Sequence, residues 1–523
     1  MKRIFTSLFF FTVVFSSAFS QGTRYIDPIF STVDITPNVL YSQNFSVLLE
    51  NVAGLIPTGT APIPPLVFDL YEPGGDTEAE RPLIIQLHTG TFAPIIHNGN
   101  PTGMRQDFAT TTLCEEYAKR GYVVANLEYR LGWDPYLPTE AERATSLMKA
   151  VFRAIQDTKA AVRFFRADYE NNGNIYRIDT SKIILSGQGS GGWVALGYAT
   201  VDKLSEIQLP KFLDGNAIPL IDTADIGDWN GYGGDPMVNM ESNVGYSNDV
   251  HMVVSMGGGI GDLSWLEAGD VPMCAVHCHT DPVAIYTTGN VTVNGVNITT
   301  DISGSHDVIK KANSLGNNDK IITLYDSCTL VAKQVSAALI GSMDLGGTTI
   351  SEEVDNVYPF VTGNPYESSP WDFWDSTTTV DVIAPAVGLT AADGIAADST
   401  GMLTNPDMSY PKSIAYLNST LCYFCPRIVN ALELPGNSVN IEEQTGLSQL
   451  EMYPNPANST VNIISSEPIS KIEIYNSTGK LVALKESLFS KTFQFNYLDL
   501  SNGIYYVNIY TTLGLTTEKL IIK

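Results

Sequence analysis

Short, nearly unbroken apolar runs recur along most of the chain, at residues 83–87, 122–126, 183–186, 252–256, 273–276 and 321–325. Runs of this length without polar alternation suit strands covered on both faces. Between them, residues 113–120, 144–169, 193–201 and 306–315 carry apolar side chains at helical spacing. Strand and helix in alternation predict the α/β class, with a mostly parallel, doubly wound sheet between two helical layers. The pattern changes near the C-terminus. Residues 461–464, 471–475, 492–495 and 504–510 alternate with period two, and residues 476–479 and Asn502-Gly503 supply turns. They predict a small all-β sandwich over residues 448–523. A polar linker, 435–447, joins it to an α/β domain spanning 21–434. Within that domain, residues 340–411 are rich in Gly, Thr, Ser and Asp and read as an inserted lid or surface flap. A last helix is predicted near residues 412–432.

Composition sharpens this picture in two places. At 523 residues the chain is too long for one core, and its apolar fraction of 44% is that of a folded protein. The formal charge of −26, from 56 acidic and 30 basic residues, excludes nucleic acid and an anionic membrane surface as expected partners. The N-terminus has the three parts of a signal peptide over residues 1–20. Lys2 and Arg3 start it, an apolar run covers 4–15, and Ala18-Phe19-Ser20 precede Gln21. No run is long enough for a permanent membrane span. Six cysteines in an exported chain permit disulfides. Cys422-Tyr423-Phe424-Cys425 has the spacing of a redox or zinc half-site but lacks a second pair, so a structural pairing is expected.

The C-terminal module carries Tyr453-Pro454-Asn455-Pro456, Tyr475-Asn476-Ser477-Thr478-Gly479-Lys480, Leu500-Ser501-Asn502-Gly503-Ile504-Tyr505-Tyr506 and a terminal Lys519-Leu520-Ile521-Ile522-Lys523. Together these resemble the type A C-terminal sorting domain of the type IX secretion system. The resemblance implies the type IX secretion machinery as partner and an extracellular or outer-membrane surface location. A generic carbohydrate-binding sandwich is the alternative, since fold alone does not decide function.

The chemistry centres on Gly187-Gln188-Gly189-Ser190-Gly191-Gly192, which follows a predicted strand and opens a predicted helix. A nucleophile elbow has positive φ at its apex and needs tiny residues two positions before and after. With Gly189 at the apex, Gly187 and Gly191 meet both demands. With Ser190 there, Gln188 fails one. The surrounding motifs Arg81-Pro82-Leu83-Ile84-Ile85-Gln86-Leu87-His88, Tyr129-Arg130-Leu131-Gly132-Trp133 and Asp281-Pro282-Val283 resemble those of secreted bacterial carboxylesterases of the α/β-hydrolase fold, over about residues 24–434. In that register the family's serine position is Gly189, Ser190 is a spacer, Asp281 is the acid, and Gly90 and Thr91 are the oxyanion donors. Thr89 and Thr91 stand where relatives carry glycines, which shifts the loop or narrows the pocket. The base should be a histidine after the last core strand, expected at 321–325, yet the sequence there is Asp326-Ser327-Cys328-Thr329 and no histidine follows His306. A serine hydroxyl without a base is a poor nucleophile.

These residues support a secreted carboxylesterase homologue that is catalytically degenerate and retained as a surface or binding protein for an ester or carbohydrate-type ligand, with no cofactor. Two alternatives stay open: an active esterase using Ser190 with an unusual base such as His306, and a metal-dependent hydrolase using His277, His279 and Asp281, whose positions point to one side of an extended segment. Three further expectations follow from position. Cys328 pairs with Cys278 across the vacated site. The run Asp222, Asp225, Asp228 forms an acidic loop with approximate calcium spacing. Trp371 and Trp374 pack the insertion onto the domain.

Overall fold

Eight strands organise the first part of the chain in the computed structural model. They are β1 Val33–Gln43, β2 Pro65–Pro73, β3 Arg81–Leu87, β4 Val123–Leu127, β5 Ile178–Gln188, β6 Met252–Met256, β8 Met273–Cys278 and β11 Val357–Phe360, in the order β1-β2-β4-β3-β5-β6-β8-β11. Pairs β1/β2 and β2/β4 are antiparallel and the rest parallel. The structure describes residues 23–47, 63–435 and 450–523, apart from breaks at 294, 323, 325, 458–459, 477–480, 497–499 and 512–513. The expected signal peptide and most of the expected linker lie outside the described residues.

The apolar runs are continuous because each strand faces two cores. Successive side chains alternate across a sheet, so Leu83, Ile85 and Leu87 of β3 enter one cluster with Ile155 and Phe165. Ile84 enters the other, with Leu113, Tyr117 and Phe424. The first layer is built by α2 Glu140–Asn171 and α3 Ser190–Thr200, the second by α1 Phe108–Lys119 and α7 Tyr410–Leu432. Helix α2 begins at a capping box. The Thr139 hydroxyl accepts from the Glu142 amide at 3.2 Å, and the Glu142 carboxylate accepts from the Thr139 amide at 2.9 Å.

The last strand of the sheet is β11, and Ile321, Ile322 and Leu324 of the expected strand lie outside any strand. Val357 pairs with Ala275 and Phe360 with Cys278, in parallel register. Ile321 and Ile322 lie in a turn, and Ile321 and Leu324 are buried in the same core as Phe424. Their apolarity reflects burial, not strand pairing. The segment 340–411 is accordingly more than a flap, since it contributes β11 to the main sheet before turning into the helix α6 Ala391–Thr404. Trp371 and Trp374 are buried, as packing residues should be.

The cysteine expectation is corrected as well. Cys328, in α5 Ser327–Ala338, is bonded to Cys422 of α7 with their Cα atoms 6.0 Å apart. Cys278 is a free, buried thiol, as are Cys114, Cys274 and Cys425. Once β11 takes the strand position, residues 326–328 begin a helix of the outer layer, which leaves Cys328 facing α7.

After β8 the chain forms a hairpin, β9 Thr288–Val293 and β10 Val296–Gly304, that pairs with the short β7 Gly259–Ile260. The second compact unit is Ser438–Lys523. It contains five antiparallel strands, with β12 Leu450–Tyr453, β13 Thr460–Asn476, β15 Gly503–Thr511 and β16 Gly514–Ile522 in that order and β14 Leu481–Asn496 also on β13. Val461, Ile463, Ile472, Val507 and Ile509 fill its core, the inward half of the period-two pattern. Among the described residues no helix is long and apolar enough to cross a membrane.

Candidate functional site

Strand β5 ends at Gln188, Gly189 follows with φ +53° and ψ −118°, and α3 starts at Ser190. Gly189 is therefore the apex of the turn. A Cβ on Gly187 would run into the Gly191 carbonyl, and one on Gly191 into the carbonyls of Leu87 and His88. A Cβ on Gly189 itself would collide with the Thr89 hydroxyl and lie 3.1 Å from Thr89 Cβ. Thr89 thus fills the space in which an apex side chain would begin.

Ser190 is buried on the first turn of α3, with Oγ 3.4 Å from the Tyr129 hydroxyl. That hydroxyl donates to the His88 carbonyl at 2.7 Å, and burial pushes its pKa up. Among the described residues the side-chain partner of Ser190 is a phenol, which is no general base at neutral pH.

The oxyanion loop is held in a left-handed conformation, with Gly90 at φ +126°, Thr91 at +49° and Phe92 at +58°. Glycine is required at position 90 because a Cβ there would sit 2.7 Å from Gly103 Cα. His88 pins the loop from beneath. Its Nδ1 donates to the Thr89 carbonyl at 2.6 Å, and its ring stacks on Tyr129 at 4.5 Å. Burial works against a charged His88, but the nearby Glu128 carboxylate outweighs it and holds the pKa above the ordinary value. The Thr91 hydroxyl has no partner.

Asp281 lies at the carboxyl edge of the sheet, buried, with Oδ1 accepting from the amides of Val283 at 2.7 Å and Ala284 at 2.9 Å. Its Oδ2 is 3.6 Å from His277 Nε2. His277 is fully buried, with Nδ1 2.9 Å from Ser305 Oγ and Nε2 3.0 Å from the Ala284 carbonyl, so both ring nitrogens face protein partners. His279 donates its amide to the Phe360 carbonyl, and burial lowers its ring pKa. His306, at the start of α4 Ser305–Ser314, has Nδ1 2.7 Å from Asp307 Oδ1 and does not line the cavity beside the elbow. Among the described residues, the one set of three metal-ligating side chains with mutually close ligand atoms is Asp326, Cys328 and Cys422, and its two cysteines are the disulfide pair. In the acidic run, Asp222 caps a short helix, and Asp228 accepts from the amides of Asn230 and Tyr232.

The loop after β11 occupies the chain position where this fold order would place the base. It brings Ser368, Ser369, Trp371 and Asp372 to the cavity. Asp372 is buried, and its Oδ1 accepts from Gln188 Nε2 at 2.7 Å. Burial pushes its pKa up to about 7, helped by the charge of Asp107 and opposed by hydrogen bonds from Ser369, Gln188 and Thr102. Sequence reasoning missed Asp372 because it looked for this loop after residues 321–325. Recognising 357–360 as the last strand would have pointed to it.

The cavity has a volume of about 360 Å³, within the range of small-molecule sites. Its polar lining comes from the oxyanion loop, the elbow, Asp281 and the loop after β11. Its apolar lining comes chiefly from α2, the β9/β10 hairpin and the segment around Phe212. Asp281 and Asp372 are the acidic lining residues, and no Lys, Arg or His lines it among the described residues.

Comparison with known proteins agrees with this architecture. Residues 68–290 match the BD-FAE family profile, and residues 451–523 match the profile of the secretion system C-terminal sorting domain. No curated protein matches the chain. Among solved structures, native esterase Est2 of the planctomycete Thermogutta terrifontis is similar at 17% identity and a TM-score of 0.28, covering 48% of this chain and 72% of that one. The same organism's esterase 2 phosphorylated by paraoxon is similar at 18% identity and a TM-score of 0.28, covering 47% of this chain and 71% of that one. A bifunctional GH43-CE protein of Bacteroides eggerthii is similar at 18% identity and a TM-score of 0.28, covering 41% of this chain and 29% of that one. The sorting tail implies secretion, to the cell surface or the medium. The chain therefore carries a BD-FAE, esterase-like α/β-hydrolase domain over residues 68–290 and a secretion system C-terminal sorting domain over residues 451–523.

Proposed function

We propose that this chain is a catalytically degenerate esterase-like α/β-hydrolase, exported by the type IX secretion machinery and retained to bind a small molecule in the cavity beside the elbow. The observation that carries this reading is the glycine at the apex of the turn, with the Thr89 hydroxyl in the space of the absent side chain. Acyl transfer needs a nucleophile at that point and a base within hydrogen-bond reach of it. The apex has no side chain here, and among the described residues no imidazole stands beside it. Ser190 faces Tyr129, and no histidine lines the cavity among the described residues. A site stripped of nucleophile and base keeps only the rate advantage of binding and oxyanion donors, about 10³–10⁴ over water in a well-formed hydrolase. With no nucleophile at the apex, no tetrahedral intermediate forms on an apex side chain for those donors to stabilise.

The remaining parts of the proposal concern layout. Residues 1–20 are a signal peptide and 21–434 the α/β domain, with residues 435–447 linking it to a sorting domain over 448–523.

The test is hydrolysis of p-nitrophenyl butyrate by the purified chain. Turnover is expected to equal that of Ser190→Ala and to be insensitive to chelator. Turnover lost on Ser190→Ala would replace the proposal with the Ser190 esterase. Activity removed by chelator and restored by zinc would replace it with the metal-dependent hydrolase of His277, His279 and Asp281.

A further inference from the structure

Asp281 stands without the partner that its position implies. In a serine hydrolase the acid orients and offsets an imidazolium, and among the described residues no histidine lines this cavity. The Val283 and Ala284 amides hold Oδ1 at 2.7 and 2.9 Å. Oδ2 accepts no hydrogen bond among the described residues, and it retains exposed surface in a side chain that is 4% exposed. His277 Nε2 lies 3.6 Å from it but does not serve it, because that nitrogen carries its proton to the Ala284 carbonyl 3.0 Å away. A carboxylate oxygen buried in this way, unpaired and facing a cavity, favours a positive partner.

The space beside that oxygen is open. Apart from its chain neighbours, a Cβ on Gly257 would meet only Asp281 Oδ2 at 3.8 Å and Trp371 Cη2 at 3.9 Å, which are ordinary contact distances. Gly257, Asp281 and Trp371 all line the cavity. A group the size of a methyl has room there, and a primary ammonium is of that size with three donors. Asp372 is the second acid of the lining. Burial pushes its pKa up to about 7, so at pH 8 it too is mostly ionised. No Lys or Arg lines the cavity among the described residues to offset either charge. The chain's net charge of −26 adds to the attraction for a cation.

The walls favour an organic cation over a metal ion. Among the described residues no set of three ligating side chains with mutually close ligand atoms includes Asp281, whereas a hard divalent cation takes about six oxygen ligands. Beyond the acids the lining is largely apolar, with Val151, Phe152 and Ile155 of α2, Val293 and Ile302 of the hairpin, and Phe212. Hydrocarbon laid against these side chains releases water from surface that offers it no hydrogen bonds.

We propose that the cavity binds a primary ammonium carried on an apolar chain or ring, with the ammonium in the space over Gly257 between Asp281 Oδ2 and Trp371, and the apolar part against α2 and the β9/β10 hairpin. This rests on the non-hydrolytic reading above and names its ligand class. The ammonium takes the place in charge that an imidazolium holds in a hydrolase, and no bond is made or broken.

The experiment is isothermal titration calorimetry of the full chain at pH 8 with 4-phenylbutylamine, 4-phenylbutan-1-ol and sodium 4-phenylbutyrate, which share an apolar part and differ in the head. The amine is expected to bind at least about tenfold tighter than the alcohol, a difference of about 1.4 kcal/mol, and the carboxylate more weakly than both. Asp281→Asn keeps an oxygen for the two amides and removes the charge. It is expected to weaken the amine about tenfold and to leave the alcohol unchanged. Equal affinity of amine and alcohol would mean that the protein already compensates Asp281, and overturns the proposal. So does tighter binding of the carboxylate, absence of amine binding, or an Asp281→Asn protein that binds the amine as the parent does. If Asp281→Asn is unfolded, Val151→Lys replaces it, placing a like charge on the apolar wall from a half-buried helix position. That variant is expected to abolish amine binding with its circular dichroism spectrum unchanged, and undiminished binding overturns the proposal. None of the three probes contains an ester. Ester turnover lost on Ser190→Ala would therefore sink the non-hydrolytic reading, while the order of the three affinities is scored separately.

Discussion

A serine placed at residue 189 should fail to create a nucleophile, and the reason is measurable. Gly189 sits at φ +53°, a region that costs a residue with a side chain about 1–2 kcal/mol. Its Cβ would also collide with the Thr89 hydroxyl and stand 3.1 Å from Thr89 Cβ. Thr89 is β-branched, so it has few rotamers to escape into, and overpacking of this kind costs about 1–3 kcal/mol more. Gly189→Ser is therefore expected to lose about 2–5 kcal/mol of stability. Removing the obstacle should return the steric part and leave the backbone part. In a double-mutant cycle of Thr89→Gly and Gly189→Ser, a favourable coupling of about 1–3 kcal/mol is expected, the range for residues in direct contact. Urea unfolding of the four proteins, followed by tryptophan fluorescence, provides the cycle. Additive effects of the two substitutions, or a Gly189→Ser protein as stable as the parent, would refute the claim that Thr89 occupies the apex space. The double variant is also expected to remain inactive on p-nitrophenyl butyrate, because no histidine lines the cavity among the described residues to deprotonate the new hydroxyl.

Three other outcomes follow from the structure. Opening the Cys328–Cys422 bond by Cys422→Ser removes a crosslink over 94 residues, and unfolding in urea should show a loss of about 2–5 kcal/mol. Asp372 has its pKa raised from the ordinary 3.8 to about 7, so between those values the folded state holds a proton that the unfolded state has released, and stability falls as pH rises through that window. Asp372→Asn removes this dependence; the variant should gain on the parent by a few kcal/mol between pH 4 and pH 8, less any share carried by Asp107, whose pKa is raised to about 6. A stability difference independent of pH would contradict the burial of a neutral Asp372. Truncation after Asn437 deletes the second compact unit, and fractionation of cells should then find the protein retained in the envelope, whereas the full chain reaches the surface or medium.

How much of this was legible in the sequence depended on whether a local requirement was one-sided. The elbow register was readable because its constraint is steric and strict. Positions 187 and 191 admit no Cβ, and only one register of the Gly-rich run satisfies both. The strands β3, β4, β6 and β8 were readable because they are buried at every position. The edge strand β11 was not. It pairs with β8 alone in the main sheet, has four residues, and includes Pro359, which an edge position tolerates. Residues 321–325 looked more like a strand than β11 does, because burial and strand pairing leave the same mark on a short apolar run.

That one substitution propagated. Placing the last strand at 321–325 moved the expected base loop to Cys328 and suggested Cys278 as its partner, whereas the sheet puts Cys328 on an outer helix against α7. It also hid Asp372, which is not apolar, glycine-rich or in a motif, and which acquires its raised pKa only from burial beside Gln188 and Asp107. Thr89 shows the same limit from the other direction. Its identity in the oxyanion loop was visible, and its consequence was not, because the collision with residue 189 joins positions a hundred residues apart in sequence. The turn that gives a hydrolase its nucleophile is preserved here in backbone alone. The side-chain space above it has passed to a threonine from a neighbouring loop, and the base's position in chain order to a buried acid. On the proposed non-hydrolytic reading, both replacements take away the groups of a serine hydrolase while keeping the cavity walls, as a site that holds a molecule without cleaving it would.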